Sequence, residues 1–226
     1  MKINHKSEIS ASMMCAGLID LKETIKTFEE EKIDYLHIDV MDGTFVPNFG
    51  LGVDYIRGLR ELTCIPLDLH LMVKDPEYKY QWLGIRSTDS VSIHYESTFQ
   101  VQRALDYLED YGCKRFLAIN PATPVGSLEE VLDYIDGINL LMVNPGFAGQ
   151  KIIASTLVKA QKVVDLLHRE GREDLIIEVD GNITLENGRK LRKIGASRFV
   201  GGTSSIFKGE VTEYKKNIEN FRKCIL

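Results

Sequence analysis

The 226-residue chain carries 28 basic and 33 acidic side chains, a formal net charge of −5, and 44% of its residues are hydrophobic. That balance offers no broad positive field for nucleic acid or an anionic membrane, so an anionic ligand has to be met by local backbone groups. The length exceeds an average domain, yet one barrel of about 250 residues accommodates it, and residues 1–226 are read as a single barrel domain.

Cys15, Cys64, Cys113 and Cys224 are far apart and follow no zinc spacing, which fits reduced thiols in a chain with ample core. The first residues, MKINHKSEISASMMCAGL, hold no long apolar run. Neither a signal peptide nor a membrane span is expected, and the expected location is the cytoplasm.

The first strand is predicted over Ile9–Met14. A helix follows, with Asp20 as its cap, Glu23 completing a capping box, and Leu21, Ile25 and Phe28 on its apolar face. Strand two covers Tyr35–Val40, and a helix near Gly52–Leu62 carries Val53, Ile56 and Leu59. Strand three is Pro66–Met72, followed by a weaker helix over Pro76–Gly84. Strand four is Ser90–His94, and its helix, Phe99–Tyr111, meets a C-cap at Gly112. Strand five, Arg115–Ile119, stops at Asn120-Pro121. Ser127 with Glu130 starts a capped helix through Ile135, before strand six at Ile138–Val143. A longer helix spans Thr156–Glu170, strand seven Leu175–Val179, a helix Thr184–Gly195, strand eight Arg198–Gly201, and a last helix Thr212–Cys224.

Eight strand–helix units in succession fit a closed (β/α)8 barrel, an α/β fold whose strand-to-helix loops share one rim. An open doubly wound sheet is the competitor. It usually has fewer strands and a phosphate loop after strand one, which this chain lacks.

Polar residues recur at the predicted strand ends. His37 and Asp39, two apart in a strand, share a face. In a barrel they converge with His70 and Asp180. Two imidazoles and two carboxylates suit a divalent ion such as zinc, manganese, iron or cobalt. Asp39 and Asp180 on opposite sides of a small substrate, beside an electrophilic ion, form the arrangement that inverts a stereocentre next to a carbonyl without redox chemistry. The stretches Asn144–Gly149, Gly181-Asn182 and Gly201–Ser205 are rich in glycine and follow strands six, seven and eight. Their backbone N–H groups suit phosphate capture, with a short helix starting at Ser204 pointing its N-terminus at the charge. Met41, Met72 and Met142 lie near strand ends, where thioethers would form an apolar lining.

These segments resemble the ribulose-phosphate 3-epimerase family, including its allulose-6-phosphate 3-epimerase relatives. The resemblance rests on HIDVMDGTFVPN (His37–Asn48), LDLHLMV (Leu67–Val73), SIHYE (Ser92–Glu96), NPATP (Asn120–Pro124), VNPGFAGQ (Val143–Gln150), IEVDG (Ile177–Gly181) and GTSSIF (Gly202–Phe207). It implies a (β/α)8 barrel that interconverts D-ribulose 5-phosphate and D-xylulose 5-phosphate with one divalent ion (Zn, Fe, Mn or Co), in a homo-oligomer, dimer or hexamer. It also implies His37, Asp39, His70 and Asp180 as metal ligands and Asp39 and Asp180 as the acid/base pair. Substrate contacts are implied for Ser12, His70, Gly146, Phe147, Ala148, Gly149, Gly181, Thr203 and Ser204.

The chain departs from the family pattern at Ala11 (usually Pro), Thr44 (usually His), Asn182 (the second Gly of VDGG) and Leu141, where a Met is common. Its GTSS stretch is more like that of the allulose-phosphate relatives. The expected activity is therefore 3-epimerisation of ribulose 5-phosphate, with allulose 6-phosphate as the alternative substrate. An aldolase lacks a strand-end lysine, because Lys74 and Lys151 lie beyond their strands. A catalytically inactive sugar-phosphate-binding barrel is the non-enzyme alternative.

Overall fold

A computed structural model describes residues 5–226. Among them, eight parallel strands close into one barrel in chain order: β1 Glu8–Ser12, β2 Tyr35–Met41, β3 Leu67–Met72, β4 Ser90–His94, β5 Lys114–Ile119, β6 Gly137–Leu141, β7 Ile176–Asp180 and β8 Arg198–Gly201. The closing pair sets Glu8 opposite Arg198 and Ala11 opposite Gly201. The α-helices are α1 Leu21–Glu30, α2 Val53–Leu62, α3 Val101–Glu109, α4 Ser155–Glu170, α5 Leu185–Ile194 and α6 Val211–Ile225. The expected (β/α)8 barrel is what the chain forms, and the open sheet is not.

Strand alternation divides the interior in two. Residues such as Leu36, Ile38, Leu67, Leu69, Leu71, Ile138, Leu140, Ile177 and Val179 face the helices and join Ile25, Phe28, Leu59, Val163, Ile218 and Phe221 in the main core. Each such side chain stabilises the fold by about 1.5–3 kcal/mol when buried. The alternate positions point into the barrel and are largely polar: Ser10, His37, Asp68, His70, Ser90, Ser92, Asn139, Glu178 and Arg198 are all buried. A strand that is buried on both faces yet carries charge on one of them is what places chemistry inside this barrel.

Several local expectations give way to other geometry. Pro76–Gly84 is two short 3-10 turns, Pro76–Tyr78 and Tyr80–Trp82, with Gly84 in the left-handed region at φ +56°. The segment at Ser127 is a 3-10 helix, Val125–Tyr134, entered from Pro124 with no side-chain cap. Its buried Leu128 and Val131 are three apart, the repeat of a 3-10 helix. Asp20 precedes α1 but caps it only through its backbone carbonyl, which accepts from the Thr24 N–H. A capping box forms instead at α6, between Glu210 and Glu213. Thr184 does cap α5, accepting from the Asn187 N–H at 3.1 Å. Helix α3 stops at Glu109, short of Gly112.

Candidate active site

The ends of β2, β3 and β7 bring His37, Asp39, His70 and Asp180 together. Asp39 Oδ1 lies 3.3 Å from His37 Nε2 and 3.2 Å from His70 Nδ1. Asp180 Oδ2 lies 3.7 Å and 3.5 Å from the same two nitrogens. One donor atom from each residue falls within 4.8 Å of the other three. Both imidazoles are fully buried, and His37 Nε2 makes no hydrogen bond. A buried nitrogen without a partner, facing two carboxylates and a second imidazole, fits a divalent ion.

The two carboxyls sit in unlike fields. Burial would raise Asp39, but His37 and then His70 override it and hold its carboxyl well below the usual range. Burial pushes Asp180 up, opposed by His37 and reinforced by the charge of Asp39. Like charges at one site drive the proton affinities of two carboxyls apart in this way.

A further ring of residues grips the imidazoles, and sequence reasoning missed its roles. Asp68 Oδ2 lies 2.7 Å from His37 Nδ1. Burial disfavours an ionised Asp68, yet His37, Arg198 and the Ser10 hydroxyl hold it well below the carboxylate range. His70 Nε2 lies 2.8 Å from His94 Nε2, and His94 Nδ1 lies 3.3 Å from Glu96 Oε2. When His70 presents Nδ1 to an ion, its Nε2–H donates to His94, whose Nδ1–H then donates to Glu96. The available signal was parity: Asp68 and His70 share a face, as do Glu178 and Asp180.

Above the cluster opens a cleft lined by Asp39, Asp180, Ser12 and Met72, and by the loops Asn144–Gln150, Gly181–Ile183 and Gly202–Ser204. Of the residues singled out in the sequence, Gly146, Phe147, Ala148, Gly149, Gly181, Thr203 and Ser204 thus meet Ser12 at one mouth. Gly181 has φ +106°, and a Cβ there would come within 2.6 Å of Val143 Cγ2. Asn182, in the place of a second glycine, keeps the left-handed conformation at φ +53°, which asparagine tolerates.

Three lining expectations change. Met41 does not line the cleft; it packs with Met72 and Val46 in a small satellite cluster. Leu141 lines the cleft, while Met142 faces the helices in the main core, because Asn139 and Leu141 occupy the inward parity of β6. The segment after Gly202 is a tight turn in which the N–H groups of Ser205, Ile206 and Phe207 all donate to the Gly202 carbonyl. No helix starts at Ser204. Met14 and Cys15 also line the cleft without having been singled out for it.

Fold and site together define a (β/α)8-barrel enzyme with its polar centre at the carboxyl rim of the strands. Solved structures of that fold superpose on the chain: 3-hexulose-6-phosphate synthase from Salmonella typhimurium at TM-score 0.68, 11% identity and coverage of 96% of this chain and 98% of the other. A mutant tryptophan synthase alpha-subunit from Pyrococcus furiosus gives TM-score 0.64 and 13% identity over 100% and 98%. At the level of sequence, residues 8–207 match the model of the "Ribulose-phosphate 3 epimerase family". The ribulose-phosphate 3-epimerase of Bacillus subtilis is 36% identical over 87% of this chain and 91% of its own length. That of Escherichia coli is 35% identical over 95% and 94%, and the chloroplastic enzyme of Arabidopsis thaliana 35% over 93% and 75%. The chain belongs to the ribulose-phosphate 3-epimerase family.

Proposed function

We propose that the chain works as a single barrel domain that interconverts D-ribulose 5-phosphate and D-xylulose 5-phosphate by moving one proton at C3. The observation that carries this reading is that Asp39 and Asp180, from strands three places apart around the barrel, open onto one cleft with unlike proton affinities. The ionised Asp39 removes the C3 proton, and the electron pair passes into the C2 carbonyl to give an enediolate. Asp180 returns a proton to the other face, and the reverse reaction exchanges the two roles. A divalent ion (zinc, iron, manganese or cobalt), held by His37, Asp39, His70 and Asp180, would supply Lewis-acid polarisation of the substrate oxygens.

The glycine-rich loops after β6, β7 and β8 hold the phosphate through backbone N–H groups, with Ser12, Thr203 and Ser204 beside them. Met72, Leu141 and Met14 keep water from the reacting carbon. The names of the relatives favour the five-carbon substrate over a six-carbon one, and the presence of both carboxylates argues against an inert binding barrel. The four cysteines are free, and no helix of the described residues is long and apolar enough to cross a membrane. Both facts are compatible with the expected cytoplasmic setting, and a dimer or hexamer remains the expected assembly.

The test is exchange at C3. Ribulose 5-phosphate deuterated at C3 should lose its label to solvent with the native chain. Asp180→Asn should stop product formation while sparing most of the phosphate affinity. Undiminished epimerisation in D180N would overturn the two-carboxylate assignment.

A further inference from the structure

Arg198 is the largest fully buried side chain among the described residues. It stands at the start of β8 and reaches into the barrel beneath the candidate metal site. Its guanidinium lies between two rings, 3.9 Å from the centre of Tyr35 and 4.8 Å from that of Phe116. Nε donates to Glu8 Oε2 at 2.9 Å, and Nη1 donates to Ser90 Oγ at 2.7 Å and to Glu178 Oε2 at 3.4 Å. Nη1 also lies 3.8 Å from Asp68 Oδ1. A buried guanidinium is a costly way to fill space, and an apolar side chain of similar volume generally serves packing as well or better.

The hydrogen bonds that leave Arg198 run in one direction. Arginine has donors and no acceptor. The Ser90 oxygen therefore accepts from Nη1, and its own hydrogen goes to Asp68 Oδ1 at 3.0 Å. Asp68 Oδ2 accepts from the Ser10 hydroxyl at 2.8 Å, which leaves Asp68 as an acceptor toward His37 Nδ1 at 2.7 Å. His37 must then carry hydrogen on Nδ1, and the nitrogen left for an ion is Nε2, the buried atom that makes no hydrogen bond.

We propose that Arg198 is a positioning residue: through Ser90 and Asp68 it fixes the direction of a hydrogen-bond chain that keeps hydrogen on His37 Nδ1 and turns Nε2 toward the divalent ion. The inference rests on the metal site of the proposed function and adds to it a residue separated from the ion by Ser90, Asp68 and His37. The two aromatic rings hold the guanidinium in place, and Glu8 and Glu178 offset its charge.

The experiment compares Co²⁺ dissociation constants, by visible absorption and chelator competition, with thermal midpoints of the metal-free proteins. Arg198→Met should weaken Co²⁺ binding by about 10- to 100-fold, the usual effect of losing an outer-shell partner, and alter the Co²⁺ spectrum. Arg198→Lys, which keeps a donor and a charge, should recover most of the affinity. Because R198M leaves buried carboxyls without their cation, the double variant R198M/E178M serves as the folded counterpart and should show the same loss. A folded R198M or double variant that binds Co²⁺ as tightly as the native chain, with only its thermal midpoint changed, would make Arg198 a structural plug and overturn the proposal. A native chain that binds no divalent ion would instead overturn the metal site itself.

Discussion

The two halves of the cleft are built from different materials. At the ends of β2, β3 and β7, the groups proposed to react are side chains fixed to strands and braced from behind by Asp68, His94 and Glu96. In the loops that follow β6, β7 and β8, the groups that line the mouth are mostly backbone and uncharged side chains, shaped by glycines such as Gly146 at φ +109°. The first half sets four candidate ligand atoms within 4.8 Å of one another. The second can wrap an anion but has no charged side chain with which to do chemistry. The division predicts that damage to one half affects turnover and damage to the other affects binding.

The largest effect should come from Asp39→Asn or Asp180→Asn, each lowering kcat by about 10²–10⁴-fold, the usual contribution of a general acid or base. KM should stay near the native value in steady-state assays, and a change confined to KM would break the comparison. Next comes the ion: exhaustive chelation should abolish C3 exchange, and readdition of Zn²⁺, Mn²⁺ or Co²⁺ should restore it, while phosphate protection of the loops in hydrogen exchange persists throughout.

Gly146→Ala is a smaller disturbance, in the other half. Alanine at φ +109° is strained, and its Cβ would stand 3.0 Å from Val46 Cβ. A strained backbone position costs about 1–3 kcal/mol, so KM should rise by roughly 10- to 100-fold with kcat retained at saturation. Equal losses in kcat would show that the loop also sets the reacting geometry.

The smallest effect is on stability in acid. Burial opposes ionisation of Glu96, yet His94, Thr123 and the Asn120 N–H bring its carboxyl down from 4.5 to about 2. Below pH 4.5 the unfolded chain takes up a proton that the folded chain refuses. The stability Glu96 contributes is therefore present above 4.5 and lost as pH falls toward 2. Glu96→Gln should flatten the metal-free stability profile over that window in urea melts at stepped pH. An unchanged slope would remove Glu96 from the brace behind His70.

How much of this was readable depended on which physical rule governed each residue. The barrel was legible because strand and helix periods alternate cleanly, and His37, Asp39, His70 and Asp180 because polar groups stand out in apolar strands. Parity also held information that went unused: Asn139 marks the inward face of β6 and so assigns Leu141 to the cleft and Met142 to the helices. The bracing contacts were not legible. Asp68 and Arg198 meet through strands distant in sequence, and only the register of the closed barrel decides which inward residues share a layer. The 3-10 helix at Val125–Tyr134 escaped because a Ser-x-x-Glu pattern signals a cap only when the chain enters extended at that serine, and Pro124 had already started the turn.

Closure of the barrel between β1 and β8 has a consequence for how the molecule is made. Glu8 and Arg198, paired across that seam, are 190 positions apart in the chain. At a ribosomal pace of about 5–20 residues per second, roughly 10–40 seconds separate the emergence of the two. Through that interval the nascent first strand has an open edge, and His37, Asp39 and His70 wait in a half-built wall for Asp180. The four-residue cluster of His37, Asp39, His70 and Asp180 is therefore complete only late in translation, after most of the wall has been laid down.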